Sequence, residues 1–196
     1  MDESEIVAAA GLSARYAEPH RRYHDQRHVA AVLRSVDELA AAEGLADDDR
    51  AVVRLAAWFH DAVYDPTASD NEQRSADLAL STLSGGDVAT GIADEVARLV
   101  TVTAEHVVGP GDVRAAVLCD ADLSILASDA DRYADYVRGV REEYAFVDEA
   151  AFREGRSAVL RRLLAREHLF ATSYGRQHWE QVARKQVAAE ITSLEG

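Results

Sequence analysis

Residues 55–65 read LAAWFHDAVYD, an apolar run that contains a histidine and an aspartate side by side. His60 follows Ala56 by four positions, so it is predicted to lie on the apolar stripe of a helix and to face the interior. Asp61 would then lie about 100° further round the same helix. Because an unpaired buried polar group costs roughly 1–3 kcal/mol, hydrogen bonds or a metal ion must satisfy this pair.

The rest of the chain is also predicted to be helical. Its 196 residues include only three prolines, and long stretches rich in Ala, Leu, Arg and Glu carry apolar residues at helical spacing. No stretch alternates between polar and apolar residues as a half-buried strand would. We therefore predict an all-α bundle of eight or nine helices, over residues 4–16, 28–43, 49–64, 71–83, 88–106, 112–127, 130–145, 149–166 and 176–194.

Turn and capping residues indicate where these helices end. Gly44 is predicted to end one helix, and the run from Asp47 to Asp49 is predicted to cap the next. Further turns are predicted at PTASD (66–70), SGGD (84–87) and GPGD (109–112).

No repeat, low-complexity tract or flexible linker divides the chain. We predict a single domain over residues 1–196. Within it, a metal-binding core of about 20–127 is expected to carry the C-terminal helices 128–196 packed against it.

Composition limits the classes of partner. The 35 acidic residues outnumber the 21 basic ones and give a formal net charge of -14, which argues against binding to a nucleic acid duplex. A small anionic substrate would need a local arginine cluster or a bound cation. Cys119 is the only cysteine, so a multi-cysteine zinc site and an intramolecular disulfide are excluded. No basic leader and no apolar run of about 20 residues is present, so a soluble, cytoplasmic protein is expected, without membrane partners.

Two further stretches place ligand-type side chains beside apolar runs. Residues 19–33, PHRRYHDQRHVAAVL, contain His20, His24 and His28 at intervals of four, and the last of these opens an apolar run. His20 is better explained as part of a solvated loop. Residues 117–126, VLCDADLSIL, place two carboxylates in an apolar helix, where a charged group is rarely tolerated without a partner or a metal. The spacing alone leaves a salt-bridged core and a metal site both open.

The order of these residues resembles the H...HD...D pattern of the HD-domain superfamily of metal-dependent phosphohydrolases. More narrowly, several blocks resemble a bacterial subfamily known mainly as predicted HD phosphohydrolases; they are YHDQRH, WFHDAVYDPTASDNEQRSADLA, CDADLSIL, REEY and GRSAVL. These blocks extend over roughly residues 20–165. The resemblance implies an HD-domain-like helical bundle with His28, His60, Asp61 and a later aspartate as metal ligands.

Asp122 is preferred over Asp120 as the fourth ligand. On a helix, Asp122 shares its side with a strongly apolar set of neighbours: Leu118, Ile125 and Leu126. The resemblance agrees, since HD proteins commonly place the ligand directly before the hydrophobic continuation. Asp120 is then expected to lie outside the coordination sphere and to hold a histidine ligand in orientation.

Two imidazoles and two carboxylates suit Mn, Fe, Ni, Co or Mg better than a thiolate-preferring ion, and the resemblance implies a divalent metal without fixing its identity. Such a cation can polarise a phosphoryl oxygen and lower the pKa of a bound water. The predicted activity is hydrolysis of a phosphoester in a nucleotide or similar small phosphorylated metabolite. The alternatives are a non-catalytic, metal-stabilised module that binds a nucleotide or a protein, and an HD-type oxygenase with two irons. The shortage of additional histidines counts against the oxygenase and against a second metal.

Residues after the His-Asp pair are candidates for moving a proton. Glu72 is the preferred acid or base, and Asp65 and Asp70 are further candidates; a capped loop is the structural alternative. His106 ends TVTAEH just before a glycine turn. The resemblance implies contact with phosphate or a second metal for a histidine near this point, whereas a favourable cation at a helix C-terminus is the other explanation.

Arginines in the later helices are candidates for binding phosphate, because guanidinium forks match phosphate oxygens. They are Arg138, Arg141 and Arg156, and His24 is a further candidate for the same contact. The alternative for each arginine is pairing with a nearby glutamate.

Overall fold

The computed structural model describes residues 2–84 and 91–196, and all regular secondary structure in these ranges is helical. This confirms the all-α prediction, although the described ranges contain eleven α-helices rather than eight or nine. The helices are α1 (Glu3–Ala9), α2 (Leu12–Arg15), α3 (Gln26–Ala42), α4 (Asp47–Phe59), α5 (Asn71–Ser84), α6 (Ile92–Val102), α7 (Val113–Asp122), α8 (Ala130–Glu143), α9 (Glu149–Leu164), α10 (Ser173–His178) and α11 (Glu180–Glu195), with a 3-10 helix at Leu123–Ala127.

Three predicted helices are interrupted: two of the interruptions account for the two additional α-helices, and the third produces the 3-10 helix. Gly11 separates α1 from α2 because its φ of 62° is left-handed, a conformation that glycine adopts without steric cost. The predicted helix 112–127 tightens into the 3-10 helix at Leu123. The last predicted helix is broken at Trp179, whose φ of -110° separates α10 from α11.

The helix that carries the His-Asp pair ends earlier than predicted. α4 ends at Phe59, His60 is its C-cap, and Asp61 lies in the turn that follows rather than on a helix face. The Arg21 guanidinium donates to the carbonyl oxygens of Asp61 and Ala62 at 2.8 and 3.3 Å, so these carbonyls are paired without a further helical turn. The prediction that His60 faces the interior is confirmed, since only 1% of its surface is exposed.

Two predictions about helix boundaries have different outcomes. The N-cap of α4 is Ala46, which makes no side-chain cap, so the prediction that Asp47–Asp49 cap this helix is wrong. These aspartates occupy its first turn, where they interact favourably with the positive end of the helix dipole. The SGGD turn beyond Ser84 and the first three residues of the predicted helix 88–106 lie outside the described residues.

The core consists of two clusters of buried hydrophobic side chains. The larger cluster is built from α1 to α7, with α3 packed against both α4 and α7. The smaller one is built mainly from the 3-10 helix, α8, α9 and α11, and Trp179 contacts both clusters. The three segments that carry the predicted ligands therefore meet in the larger cluster. Among the described helices, none has the length and apolar character needed to cross a membrane.

Candidate metal centre

The four side chains predicted as metal ligands meet at one point. The Nε2 atoms of His28 and His60 lie 3.0 Å apart. The Asp61 Oδ2 atom lies 3.4 and 3.1 Å from these two nitrogens, and the Asp122 Oδ1 atom lies 3.3 and 3.6 Å from them. One ligand atom each from His28, His60 and Asp122 fall within 4.8 Å of one another. The first turn of α3, the turn after α4 and the end of α7 thus contribute to a single cluster.

Local capping fixes the first of these segments. Asp25 is the N-cap of α3, and its carboxylate accepts hydrogen bonds from the backbone N–H groups of Arg27 and His28 at 2.8 and 3.3 Å. Such a cap satisfies N–H groups that have no partner within the helix. His28 is therefore held in a well-defined first turn, with 4% of its surface exposed.

The hydrogen bond on the far side of the His60 ring suits a metal ligand. Its Nδ1 atom lies 2.7 Å from the carbonyl oxygen of Ala57. A carbonyl can only accept, so Nδ1 carries a proton and Nε2 faces the cluster, where its lone pair can bind a metal ion when the ring is neutral. Metal-binding histidines commonly donate their other ring N–H to a carbonyl or carboxylate in this way, which fixes tautomer and orientation.

The two carboxylates and two imidazoles shift one another's pKa values in opposite directions. Burial, the largest single effect, would lower the pKa of His60, but the charge of Asp61, the influence of Tyr16 and hydrogen bonds with Asp122 and Asp61 together outweigh it and raise that pKa well above its usual value. Burial alone would raise the pKa of Asp61, but His60 and His28 outweigh it and lower that pKa well below its usual value. Protons on the imidazoles thus balance the carboxylates, and a divalent cation would take the place of those protons.

His106 contacts the cluster through Asp122. Its Nε2 atom lies 2.8 Å from Asp122 Oδ2, while Oδ1 of the same carboxylate faces the two buried imidazoles. His106 has a φ of 50°, which is uncommon for a residue other than glycine. The Arg166 guanidinium donates to the His106 carbonyl oxygen at 3.2 Å and helps to hold this turn. The structure therefore places His106 where it orients the Asp122 carboxylate.

His24 lies beside the cluster as one member of a histidine–carboxylate pair. Its ring centroid is 5.6 Å from that of His28 and 4.3 Å from that of Tyr64. Its Nδ1 atom lies 2.7 Å from Glu143 Oε2, and its charge lowers the pKa of Asp61. About 23% of the His24 side chain is exposed, so its ring remains accessible to solvent.

Two of the three carboxylates that were predicted to transfer a proton, Asp65 and Glu72, do not contact the predicted metal ligands in the described parts of the chain. Asp65 is exposed, and its carboxylate accepts hydrogen bonds from the backbone N–H and the hydroxyl of Thr67 at 2.9 and 2.6 Å. Glu72 lies in the first turn of α5. The pKa of Tyr144 is raised mainly by burial, and the charge of Glu72 adds to that rise. Within residues 2–84 and 91–196, neither carboxylate forms a hydrogen bond or ion pair with the four predicted ligands.

The three arginines predicted to bind phosphate are each paired with an acidic side chain. The pairs are Arg138 with Asp135, Arg141 with Glu149, and Arg156 with Glu190. Arg156 also lies 2.6 Å from the Tyr136 hydroxyl, and its side chain is only 12% exposed. Arg141 and Arg156 thus pair with glutamates, as the alternative to phosphate binding predicted, and Arg138 pairs with an aspartate instead.

Arg21 donates hydrogen bonds to two of the ligand-bearing segments, a role that its position in the sequence does not indicate. Its guanidinium is buried and donates to the carbonyl oxygens of His24 at 2.9 Å and Asp61 at 2.8 Å. It also lies over the rings of Tyr16 and Tyr64. An arginine in a polar run between two histidines carries no sequence signal for burial, because the backbone carbonyls of Asp61 and Ala62 that it binds are 40 and 41 residues away in the chain.

Asp120 binds backbone and hydroxyl groups of the segment before α10 and not a histidine ligand. Its carboxylate accepts hydrogen bonds from the backbone N–H of Ala171 at 2.7 Å and from the backbone N–H and hydroxyl of Thr172 at 2.8 and 2.6 Å. The expectation that Asp120 orients a histidine ligand is therefore wrong. Two residues correspond to about 200° on a helix, so Asp120 and Asp122 point to different sides of α7.

A cleft of about 410 Å³ borders the cluster and is lined in part by His28 and Asp122. Its volume falls within the ~300–1,000 Å³ that is typical of small-molecule sites. A ligand in this cleft would therefore lie against the predicted metal ligands.

Comparison of the chain with protein-family models, with curated proteins and with solved structures found no match. Membership of the HD-domain superfamily therefore stays a prediction from the residue pattern. The chemistry of the cluster has to be inferred from its donor atoms and surroundings.

Proposed function

We propose that this protein is a metal-dependent phosphohydrolase of the HD-domain type that cleaves a phosphoester of a nucleotide or similar small phosphorylated metabolite. The observation that carries the proposal is the convergence of His28, His60, Asp61 and Asp122 from three separate segments beside an open cleft. Side chains distant in sequence place four nitrogen and oxygen donors together where a substrate could reach them.

A cation explains this arrangement better than a salt-bridged core does. The two Nε2 atoms are only 3.0 Å apart, and the Ala57 carbonyl accepts the Nδ1–H of His60, so Nε2 is the atom that this ring presents to its neighbour. A proton or a metal ion must therefore lie between the donors. The Asp61 and Asp122 side chains are 14% and 17% exposed, so the cluster borders solvent rather than being sealed in the core. Two nitrogen and two carboxylate donors suit Mn, Fe, Co, Ni or Mg.

When bound, a divalent ion supplies polarisation of a phosphoryl oxygen and acidification of a coordinated water. The chain's own residues hold and orient the reacting groups. His106 keeps Asp122 turned so that Oδ1 faces the imidazoles. His24 can hold or take up a proton at Nε2, because Glu143 fixes its Nδ1 side, and we prefer it to Glu72 in that role.

Metal analysis combined with a phosphate-release assay tests this proposal. The wild-type protein should carry about one divalent ion per chain, and a panel of nucleotides and phosphomonoesters should include one from which it releases phosphate only when the ion is present. His60→Ala should empty the site and leave the helical circular dichroism spectrum largely intact. His168→Ala, at an exposed histidine, is the matched control and should retain the metal. Stoichiometric metal in His60→Ala protein would rule out this ligand assignment.

The positions of Glu72 and Asp65 favour a second candidate, a non-catalytic metal-stabilised module that binds a nucleotide or a protein. This candidate predicts retained metal and nucleotide binding without phosphate release under Mn, Fe, Co, Ni or Mg. Two bound irons with oxygen consumption would instead indicate the oxygenase alternative.

A further inference from the structure

The cleft beside the cluster continues well beyond the predicted metal ligands. One wall follows α3 from His28 through Val32 to Ser35, and the other side includes the 3-10 helix and the first turn of α8. The lining beyond the cluster includes two cations, three hydroxyl groups and an indole; these are Arg34, Arg132, Ser35, Ser124, Ser128 and Trp179. Glu38 also lines the cleft, and its carboxylate accepts a hydrogen bond from the Tyr174 hydroxyl.

The two arginines of this cleft differ from those that the sequence nominated. Arg34 and Arg132 are exposed, and across the described parts of the chain their guanidinium groups form no hydrogen bond and no ion pair, although acidic residues outnumber basic ones by 35 to 21. Arg138, on the same helix as Arg132, is paired with Asp135. The donors of Arg34 and Arg132 thus remain free for a ligand, and a guanidinium fork matches the oxygens of a phosphate.

Both arginines lie in the cleft at some distance from the predicted metal ligands. Arg34 follows His28 by six residues on α3, which places it about 9 Å further along the helix axis. Arg132 lines the same cleft as Tyr23, whose ring centroid lies 4.8 Å from that of His28. The two cations therefore belong to the same cleft as the cluster but lie away from its ligand atoms.

We propose that the cleft binds a small organic molecule with two phosphate groups, one placed at His28 and Asp122 and the other held by Arg34 and Arg132. The first placement rests on the proposed phosphohydrolase function. The second rests on two guanidinium groups that line the cleft and have no partner among residues 2–84 and 91–196. On an acidic protein, this pair supplies the local positive charge that a second anionic group requires.

Tryptophan fluorescence provides a binding signal that does not depend on hydrolysis. Trp179 lines the cleft, and Trp58 is the only other tryptophan, so Trp58→Phe makes Trp179 the sole reporter. Titrations of the metal-loaded protein at 4 °C, with phosphate release measured in parallel, would compare fructose 1,6-bisphosphate with fructose 6-phosphate, and adenosine 3′,5′-bisphosphate with AMP. We expect the bisphosphate of at least one pair to bind about tenfold more tightly, equivalent to about 1.4 kcal/mol.

Arginine variants in the same background decide whether the second phosphate lies where proposed. Arg34→Gln and Arg132→Gln should each remove the advantage of the bisphosphate, whereas Arg138→Gln should preserve it. No advantage in either pair, or an advantage that persists in both cleft variants, would overturn the proposal. An arginine-dependent advantage without phosphate release would support this cleft while contradicting the hydrolase. Phosphate release by the wild type, with the bisphosphate advantage unchanged in the cleft variants, would support the hydrolase and contradict this cleft.

Discussion

The Glu143 carboxylate lies 2.7 Å from His24 Nδ1, although the two residues are 119 positions apart in the chain. Its Oε1 atom accepts hydrogen bonds from three consecutive backbone N–H groups, those of Arg22, Tyr23 and His24, at 2.8, 2.8 and 3.0 Å. Its Oε2 atom also accepts from the Tyr64 hydroxyl at 2.9 Å. One buried side chain at the end of α8 therefore ties down both the loop before α3 and the segment after the His-Asp pair.

Glu143→Gln should destabilise the protein by roughly 2–3 kcal/mol, because an amide cannot replace all the charge-assisted hydrogen bonds of a buried carboxylate. Urea unfolding followed by circular dichroism at pH 7 would measure the loss. The control is Glu142→Gln, since Glu142 is exposed and forms a surface ion pair with Arg22. That variant should change the free energy of unfolding by less than about 0.5 kcal/mol. Equal effects of the two substitutions would contradict the role assigned to Glu143.

The contribution of Glu143 to stability should disappear in acid. Burial alone would raise the pKa of this carboxyl, but His24 and the backbone N–H groups outweigh it and lower the pKa from 4.5 to about 2. A lowered pKa contributes stability that is fully present above pH 4.5 and is lost as the pH falls toward 2. The shift corresponds to roughly 3 kcal/mol. In urea unfolding at stepped pH, the wild type should therefore lose more stability over this interval than Glu143→Gln; parallel curves would show that another group is responsible.

Asp122→Asn and Asp120→Asn should separate metal binding from folding. The first substitution removes a carboxylate that faces both imidazoles, so metal binding should be lost. The second places an amide N–H₂ opposite the donors of Ala171 and Thr172, so it should cost roughly 2–4 kcal/mol of stability and leave metal affinity within about threefold. Metal titration and urea unfolding on both variants provide the check. Retained metal in Asp122→Asn would move the ligand assignment away from that residue.

Proton transfer can be assigned with two conservative variants. His24→Gln should lower kcat by roughly 100- to 10,000-fold while the metal content is unchanged, as expected for loss of a general acid or base. Glu72→Gln should retain most of the activity, because Glu72 has no contact with the predicted ligands in the described parts of the chain. Its charge instead contributes to the raised pKa of Tyr144. Steady-state kinetics with parallel metal analysis would compare the two. The opposite ranking would restore to Glu72 the role that the sequence indicated.

The sequence by itself determined the helical class of the protein and the types of side chain at the candidate site. Helical spacing correctly indicated that His60 faces the interior, because residues three and four apart share one face of a helix. The same reasoning failed at Asp61, which lies in a turn where the Arg21 guanidinium binds the backbone carbonyls. A local pattern contains no information about a partner 40 residues away.

Only the tertiary structure decided which polar groups meet. The His28–His60 contact joins residues 32 positions apart, and the His24–Glu143 contact joins residues 119 positions apart. Both depend on how α3, α4 and α8 are arranged, which periodicity along a single helix does not specify. The arginines show the same limit. The sequence pointed to Arg138, which is paired with Asp135, whereas Arg132, less than two turns away, lines the cleft and has no partner among the residues that the structure describes. Spacing along a helix determines its inward face, whereas packing between helices determines what that face contacts.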